Sequence, residues 1–493
     1  MKRPVARGEP LTRALGIRYS KAMKRLATVS LLALFCAVLG AAADDGENSI
    51  YGMQSLSISA DTQRKHDLVL SHDGQPGFDF LRIPRSRGSA IELLVTADKV
   101  RSFKEFLQAN DIEYQVISDD VSKQIRVELQ QQMRARLRRR SGGDSSLDLR
   151  AFPRYDEIQA YIIELAKTHS DILKPISIGK SYEGRDIVGV KFTTDDKAFR
   201  PTLLIDGGIH AREWIAPTTA LYAIKQLAEN ASNRYIFENI DVYIIPVLNP
   251  DGYEYTHLDE KTRLWRKTRS DNPHTICKGA DANRNFDIKW MSVGASDLPC
   301  SITYAGSRPF SEAESRALRD FILARRDRIK TYLSLHSHGQ YLLHPWGFTS
   351  DLPKNEPVLR CAAINAASEL YKIHGTRYKI GSSTNVLYPA AGGSDDWTMG
   401  VAGVDLAYTV ELPGGVYGFA PPPSAIIPVG RETFEAIKVF ARYVNGEICQ
   451  GLSSSLKHKT IEFKRENMSN HLTGICGCKI MKDKQWPDAF PAQ

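Results

Sequence analysis

The stretch PTLLIDGGIHAREWIAP, residues 201–217, places the strongest restriction on how this chain can fold. Residues 202–206 form a short apolar run, which is typical of a buried strand, and two glycines end it. His210, Arg212 and Glu213 follow shortly afterwards. The polar end of such a strand is where α/β enzymes usually carry their chemistry. We therefore expect a functional site at this strand end.

His210 and Glu213 predict a metal site, because an imidazole nitrogen and a carboxylate oxygen are both good ligands for Zn²⁺. The pair alone is weak evidence, since His257 and Glu260 repeat the spacing in a polar stretch that is better interpreted as a solvated loop or helix face. The alternative for His210 is a core histidine that bonds a backbone carbonyl.

Length and composition indicate a soluble globular protein of two or three domains, with 493 residues of which 42% are hydrophobic and 25% charged. The formal net charge of +8 owes much to one arginine cluster within residues 134–140. Because this excess is local, we expect no nucleic-acid partner.

The N-terminal residues resemble a secretory signal. Basic residues precede an uncharged run, residues 26–43, that ends in small residues. A membrane anchor is the alternative, but it usually needs about 20 strongly apolar residues. We expect a signal peptide over residues 1–43, starting at Met1 or Met23, and a secreted chain without a membrane partner once processed. Six of the seven cysteines follow this segment, an even number that suits a disulfide framework.

Residues 44–133 predict a small α+β domain. Residues 78–83, 91–95 and 113–117 have the pattern of strands, and an apolar helical face lies between the last two. The basic segment 134–145 follows and opens into two glycines. We expect a flexible linker that a trypsin-like protease cuts; the alternative is a linker that is never processed.

Residues 146–449 alternate between helical and strand patterns, which predicts an α/β sheet covered by helices on both faces. Residues 203–205, 242–248, 332–335 and 407–412 are the expected buried strands. Ser311 and Glu314 have the spacing of a capping box that opens a helix. Residues 450–493 form a polar tail to which we assign no role.

His336 ends the strand pattern YLSLHSHG and is the third candidate ligand. A catalytic zinc commonly has three protein ligands and one open position, which His, Glu and His would provide. His338 is the alternative, because residues two apart on a strand share a face. Near the end of LAYTVELPGG, Glu411 lies in apolar surroundings and is the candidate general base, with a buried salt bridge as the alternative.

Two further stretches carry polar side chains. Asn283 and Arg284 lie in DANRNFD, where an arginine could grip a carboxylate with two parallel hydrogen bonds. Arg263 and Arg266 flank Trp265, and the alternative for them is a solvated basic loop.

These stretches together resemble the zinc metallocarboxypeptidases of the digestive A/B type, which are made as zymogens. The resemblance covers about residues 78–445 and rests on GIHAREW, RLWRKTRS, DANRNF, LSLHSHGQYLLHPWG, YPAAGGSDDW and YGFAPP, in this order. It implies a mixed β-sheet with helices on both faces, an inhibitory propeptide in the small domain, an activation segment at the arginine cluster, and one Zn²⁺ per chain.

The resemblance also implies a role for each matching residue. His210, Glu213 and His336 correspond to the zinc ligands, Glu411 to the general base and Arg266 to the group that stabilises the oxyanion. The implied substrate-binding residues are Asn283, Arg284, Tyr388, Arg212, Ser337, His338 and Asp395. Asp395 matches the pocket-floor position, where an aspartate favours C-terminal Lys or Arg. Cys277 and Cys300 match a family disulfide.

The chain departs from the family pattern at a few positions. His338 stands where Tyr is usual, and Pro413-Gly414 replaces Arg-Asp in a loop that is one residue shorter. The four cysteines outside the family disulfide allow three pairings; they are Cys361, Cys449, Cys476 and Cys478.

We therefore predict a secreted, monomeric zinc carboxypeptidase zymogen that releases Lys or Arg from the C-termini of peptides and proteins. The alternatives are A-like release of aliphatic or aromatic residues, and a non-catalytic protein that binds peptide C-termini.

Overall fold

The computed structural model describes residues 50–83, 90–141, 147, 149–414 and 418–448. We call residues 50–118 the small domain and the described residues from 147 to 448 the large domain. The predicted signal peptide, the C-terminal tail and Cys449, Cys476 and Cys478 lie outside the described residues. Within the described part of the chain, no helix has the length and apolar character that crossing a bilayer requires.

The small domain is an antiparallel sheet in the order β2-β3-β1-β4 with helices packed against it. Its elements are β1 (Gln54–Ser59), α1 (Gln63–Leu70), β2 (Phe78–Arg82), β3 (Ile91–Val95), α2 (Ala97–Ala109) and β4 (Glu113–Ser118). Phe78 and Phe103 are buried in its core, with their ring centroids 5.0 Å apart. The predicted α+β character is thus confirmed. Strand β1 was not predicted, although Leu56 and Ile58 alternate with serines in the pattern of a half-buried strand.

Helix α3 (Val121–Ser141) connects the two domains and includes the whole arginine cluster. We predicted a flexible segment from residue 134, but the helix continues to Ser141. Gln, Met, Arg and Leu, which dominate this stretch, are all good helix formers. Residues 142–146 lie outside the described residues.

The large domain contains an eight-stranded sheet in the order β11-β10-β12-β9-β7-β8-β6-β5. The four central strands β12, β9, β7 and β8 are parallel, while the pairings of β10 with β12, β6 with β8 and β5 with β6 are antiparallel. The strands are β5 (Leu173–Lys180), β6 (Asp186–Phe192), β7 (Thr202–Gly207), β8 (Asp241–Ile245), β9 (Ile329–Ser337), β10 (Tyr341–His344), β11 (Lys379–Ser382) and β12 (Leu406–Leu412).

Helices cover both faces of this sheet, which confirms the predicted architecture. They are α4 (Tyr155–Thr168), α5 (Ile215–Glu229), α6 (Pro250–Thr256), α7 (Ala313–Leu323), α8 (Glu356–His374), α9 (Ser383–Val386), α10 (Ser394–Gly400) and α11 (Ile426–Val444), with 3₁₀ turns at Ala231–Phe237, Ala282–Arg284 and Pro423–Ala425. Neighbouring strand residues belong to different cores: Leu203 and Ile205 pack in one, and Leu204 in the other. Strand residues alternate between faces, so a continuous apolar run is what a doubly covered sheet requires.

Two local predictions were incomplete or wrong. Helix α7 begins at Ala313, and the Ser311 hydroxyl donates to Oε1 of Glu312 instead of capping the helix with Glu314. His257 is not in a solvated loop: it is partly buried at the end of α6, and its ring stacks on Trp214 with centroids 3.9 Å apart. The implied disulfide between Cys277 and Cys300 is present, with Cα atoms 5.1 Å apart.

A glycine turn joins the two loops that carry Arg284 and Asp395. Gly392 has a φ of +76°, and a Cβ atom there would lie 2.3 Å from the carbonyl oxygen of Arg284. The backbone N–H of Gly392 donates to Ile288, and its carbonyl accepts from Phe286. Only glycine fits this conformation and this close approach.

We therefore expect Gly392→Ala to lower the free energy of unfolding by about 3 kcal/mol, from left-handed backbone strain plus a steric clash. Gly403→Ala is the matched control, because Gly403 has a φ of +80° but no heavy atom within 4 Å of the added Cβ. The control should lose only about 1 kcal/mol. Urea unfolding checks both, and equal losses would contradict the role given to Gly392.

Candidate active site

Two neighbouring parallel strands bring the three predicted metal ligands together. His210 and Glu213 lie in the turn after β7, and His336 is the penultimate residue of β9. In the parallel ladder Gly207 pairs with Leu335, so both strands end at the same edge of the sheet. One donor atom from each of the three residues lies within 4.8 Å of the others.

The donor atoms of this group fit a zinc ion. Nδ1 of His210 lies 2.8 Å from Oε1 of Glu213 and 3.2 Å from Nδ1 of His336. The outer nitrogen of each imidazole has its own partner: Nε2 of His210 lies 3.1 Å from Oδ1 of Asp281, and Nε2 of His336 lies 3.1 Å from Oγ of Ser334. With the N–H groups bonded outside, the Nδ1 lone pairs face inward, as metal-binding histidines require. Two imidazoles and one carboxylate form a common catalytic zinc set.

The electrostatics of this group favour one positive charge among these ligands. Burial would raise the pKa of Glu213, but the charges of His210 and His336 outweigh burial and lower it. Burial opposes protonation of His336, yet Glu213 raises the pKa of this imidazole to about 9. The pKa of His210 is lowered, mainly by burial. The negative charge of Glu213 beside two imidazoles thus makes this a place that favours a bound cation.

Glu411 lies on β12 beside the ligand strand, where it pairs with His336 in the parallel ladder. Its Oε2 is buried and has no hydrogen-bond partner among the described residues. Burial raises the pKa of Glu411 to about 7, against the lowering effect of His336. A carboxylate with one unbonded oxygen and a raised pKa is suited to accept and return a proton.

Arg266 is held beside the ligands by Asp281, a residue for which the sequence motifs predicted no role. Nε and Nη2 of Arg266 lie 2.9 and 2.8 Å from Oδ2 of Asp281. Burial alone would raise the pKa of Asp281, but Arg266 and His210 hold it well below its ordinary value. Asp281 therefore fixes both an imidazole and a guanidinium. The DANRNF motif contains it, and its position before Asn283 was the available signal.

A cavity of about 320 Å³ is lined by all the predicted metal-binding, catalytic and substrate-binding residues. Arg284 at its wall donates to the carbonyls of Gly294 and Asn283, at 2.7 and 3.0 Å. The predicted residues that line the cavity are His210, Arg212, Glu213, Arg266, Asn283, Arg284, His336, Ser337, His338, Tyr388, Asp395 and Glu411. The imidazole of His338 packs edge-on against Phe419, with ring centroids 4.8 Å apart. A cationic wall beside the metal ligands can bind a terminal carboxylate.

Asp395 lies at the start of α10, in the wall of the same cavity, and is 6% exposed. Its Oδ2 accepts from the Thr409 hydroxyl at 3.2 Å, and its Oδ1 accepts from the backbone N–H of Asp396 at 2.9 Å. Burial raises the pKa of Asp395. Among the residues that the structure describes, no Lys or Arg forms a salt bridge with this carboxylate.

The small domain covers this cavity. Its residues Phe80, Leu81, Arg82 and Glu92 line the same space. Asp79 forms a salt bridge with Arg212, in which Oδ1 and Nη2 are 3.1 Å apart.

Two further residues bring the small domain near the site. Desolvation raises the pKa of the Asp73 carboxyl and the charge of Arg284 lowers it, so Asp73 lies within electrostatic range of that guanidinium. Tyr388 packs against the apolar core of the small domain. Carboxylates and apolar groups of this domain thus occupy the surroundings of three predicted substrate-binding residues.

Helix α3 extends this cover through a buried ion pair that no sequence pattern indicated. Arg263, which we considered as part of a solvated loop, is 0% exposed, and its side chain lies 2.8 Å from Glu128, which is 1% exposed. The guanidinium also stacks on Trp214 at 3.7 Å from the ring centroid and donates to the carbonyl of Arg212. The contact joins residues 135 positions apart, which no local pattern reveals.

Comparisons with known proteins agree with this arrangement. The family model "Zinc carboxypeptidase" matches residues 158–436, and the model "Carboxypeptidase activation peptide" matches residues 56–128. The chain is 50% identical to carboxypeptidase B of Astacus astacus over 301 residues, which cover 60% of this chain and 98% of that protein. It is 35% identical to carboxypeptidase A1 of Mus musculus, over 84% of this chain and 97% of that protein.

The crystal structure of carboxypeptidase A from Helicoverpa armigera superposes with a TM-score of 0.76 at 31% identity, covering 81% of this chain and 99% of that one. An activation-peptide match on the small domain and a zinc carboxypeptidase match on the large domain describe a zymogen, and the predicted metal ligands lie together in the cavity at the strand ends. The chain therefore belongs to the zinc carboxypeptidase family, as a zinc-dependent hydrolase that carries its own activation peptide.

Proposed function

We propose that the activated chain is a B-like carboxypeptidase that releases Lys or Arg from the C-termini of peptides and proteins. Asp395 carries this proposal. A buried carboxylate is costly unless a cation accompanies it, and no cation of the described residues does so. A basic substrate side chain in the cavity would supply that charge. The relative that is 50% identical bears the name carboxypeptidase B, while other relatives are named carboxypeptidase A1.

The cations of the cavity position the substrate. Arg284, with Asn283 beside it, binds the terminal carboxylate, and Tyr388 closes over it once the small domain has left. Arg212, Ser337 and His338 face the residues on the other side of the scissile bond. A substrate held at both its terminal carboxylate and its basic side chain can present only its last peptide bond to Glu411. This restriction explains why the enzyme would act as an exopeptidase.

His210, Glu213 and His336 hold the zinc ion. When bound, zinc supplies a Lewis acid that polarises the scissile carbonyl and makes water more acidic. Glu411 takes the proton from the attacking water and returns it to the leaving amine. Arg266, fixed by Asp281, donates hydrogen bonds to the carbonyl oxygen as negative charge develops on it.

Activation follows from the cover that the small domain places on the cavity. A trypsin-like protease cuts within residues 134–145, and the chain between residue 44 and the cut leaves as the inhibitory propeptide. Arg136 is partly buried and pairs with Glu157 at 2.6 Å, whereas Arg134 is exposed. Export by the signal segment 1–43 brings the chain to such proteases. We propose that the enzyme is secreted, acts as a monomer and has a catalytic domain over residues 146–449.

Substrate preference is tested with two peptides that end in Arg or Phe, before and after trypsin, with and without a chelator. We expect activity only after trypsin and without chelator, and a preference for Arg. Asp395→Asn should lower kcat/KM for the Arg peptide about 100-fold, because the bound cation loses its buried partner. Asp405→Asn, a partly exposed carboxylate on the surface, is the control and should change nothing. A wild-type preference for Phe would overturn the B-like assignment and favour A-like release.

The proton-transfer role of Glu411 is tested by Glu411→Gln. We expect kcat to fall at least about 100-fold, while zinc content stays at one ion per chain. Glu432→Gln is the matched control, because Glu432 is a buried carboxylate that accepts a hydrogen bond from Thr376 outside the cavity. Normal turnover in the Glu411 variant would refute the mechanism.

The pH dependence follows from the same carboxylate. Glu411 must be ionised to accept a proton, and burial, against the lowering effect of His336 and Arg266, raises its pKa from 4.5 to about 7. Rates should therefore decline as the pH falls, with the midpoint of the acid limb of kcat/KM between 4.5 and 7. A profile measured from pH 4 to 9 checks this. A rate that stays constant down to pH 4.5 would be incompatible with this base.

A further inference from the structure

Asp206 is a buried carboxylate for which the proposed mechanism has no use. It lies on β7 with no exposed surface, four residues before His210. Both of its oxygens accept hydrogen bonds from hydroxyls of β9: Oδ1 from Ser334 at 2.8 Å and Oδ2 from Tyr332 at 2.5 Å. A buried carboxylate is expensive to keep, and this one has hydroxyls as partners instead of a cation.

Asp206 affects the metal site through Ser334, because the hydroxyl of Ser334 has only one proton to donate. A serine hydroxyl has one proton and two lone pairs. Because that proton goes to Asp206, Ser334 can only accept from Nε2 of His336, which lies 3.1 Å from Oγ. The proton of the neutral imidazole is therefore held on Nε2, and Nδ1 keeps its lone pair toward His210 and Glu213.

The hydrogen bond to the second oxygen of Asp206 completes the arrangement. The Tyr332 hydroxyl donates to Oδ2 of Asp206 and also lies 3.1 Å from Oγ of Ser394. With both oxygens bonded, Asp206 cannot turn away from Ser334. The pairing of Asp206 with Ser334 in the parallel ladder also fixes their backbones.

We propose that Asp206 is a positioning residue that acts through Ser334 to hold His336 in the tautomer that binds zinc. Asp281 does the same for His210 by direct contact, so each imidazole has one carboxylate behind it, the second through a relaying hydroxyl. This inference rests on the proposed ligand role of His336. A purely structural network would stabilise the fold without setting the zinc affinity.

Removing the relaying hydroxyl tests the proposal in the intact chain. We measure the zinc dissociation constant by competition with a chelator, and the melting temperature of the zinc-free protein. Ser334→Ala should raise the dissociation constant about 10- to 100-fold, as the loss of a partner behind a metal-bound histidine does. Ser334→Thr restores the hydroxyl and should recover most of the affinity.

Thr331→Val is the matched control on the same strand. Thr331 is fully buried, and its hydroxyl has no partner among the described residues, so the variant should bind zinc as the wild type does. Tyr332→Phe removes one of the two hydrogen bonds to Asp206 and gives a milder test if Ser334→Ala folds poorly. It should weaken zinc binding more than Tyr408→Phe, which removes a buried hydroxyl that bonds the carbonyl of Leu359.

Two results would overturn the inference alone: unchanged zinc affinity in Ser334→Ala, or an equal loss in Thr331→Val. For the milder pair, equal zinc affinities of Tyr332→Phe and Tyr408→Phe would do the same. A wild-type chain that binds no zinc would instead overturn the proposed function, on which this inference depends. The two failures are thus distinguishable in one set of titrations.

Discussion

The parallel pairing of β7 with β9 is the constraint on which the site depends. His210 and His336 are 126 residues apart in the chain, and their Nδ1 atoms meet at 3.2 Å only because the two strands end in register. The pairing is stabilised by burial on both faces, since Leu203, Leu204 and Leu333 pack into the cores of the sheet. The apolar runs thus determine the position of the polar residues that follow them.

Burial then determines the chemistry of those residues. Burial raises the pKa of Glu411, whereas Asp281, which is equally buried, has the Arg266 guanidinium in direct contact, and this charge holds its pKa far below the usual range. One carboxylate is thereby prepared to exchange a proton and the other to remain charged. Two acids in one site acquire different functions from their neighbours.

The sequence alone predicted site residues where an apolar strand pattern ends at a residue type that can bind a metal or exchange a proton. His210, His336 and Glu411 each follow or end an apolar strand run, and the structure brings all three to one cavity. It was insufficient where the partner lies far along the chain. Arg263 and His257 have polar sequence neighbours, yet Arg263 pairs with Glu128 and His257 stacks on Trp214, and neither contact leaves a local signal.

The helix start at Ala313 and the relay through Ser334 were missed for a related reason. Serine competes for nearby hydrogen-bond partners, so a Ser followed by Glu at the right spacing does not specify which of them it bonds. Ser311 bonds the adjacent Glu312, and Ser334 bonds Asp206 on another strand. Hydroxyl roles depend on the final positions of acceptors, which only the folded chain defines.

In the proposed mechanism one cation serves both inhibition and substrate binding. Arg212 pairs with Asp79 of the small domain, and the same guanidinium would face the substrate once that domain has left. A substrate therefore competes with carboxylates that are already in place, and covalent cutting alone does not remove them. Arg263 differs, because its contacts with Trp214 and with the carbonyl of Arg212 belong to the large domain. In the proposed activation Glu128 leaves with the small domain and helix α3, while the Arg263 guanidinium keeps these contacts, so the walls of the exposed site are already formed.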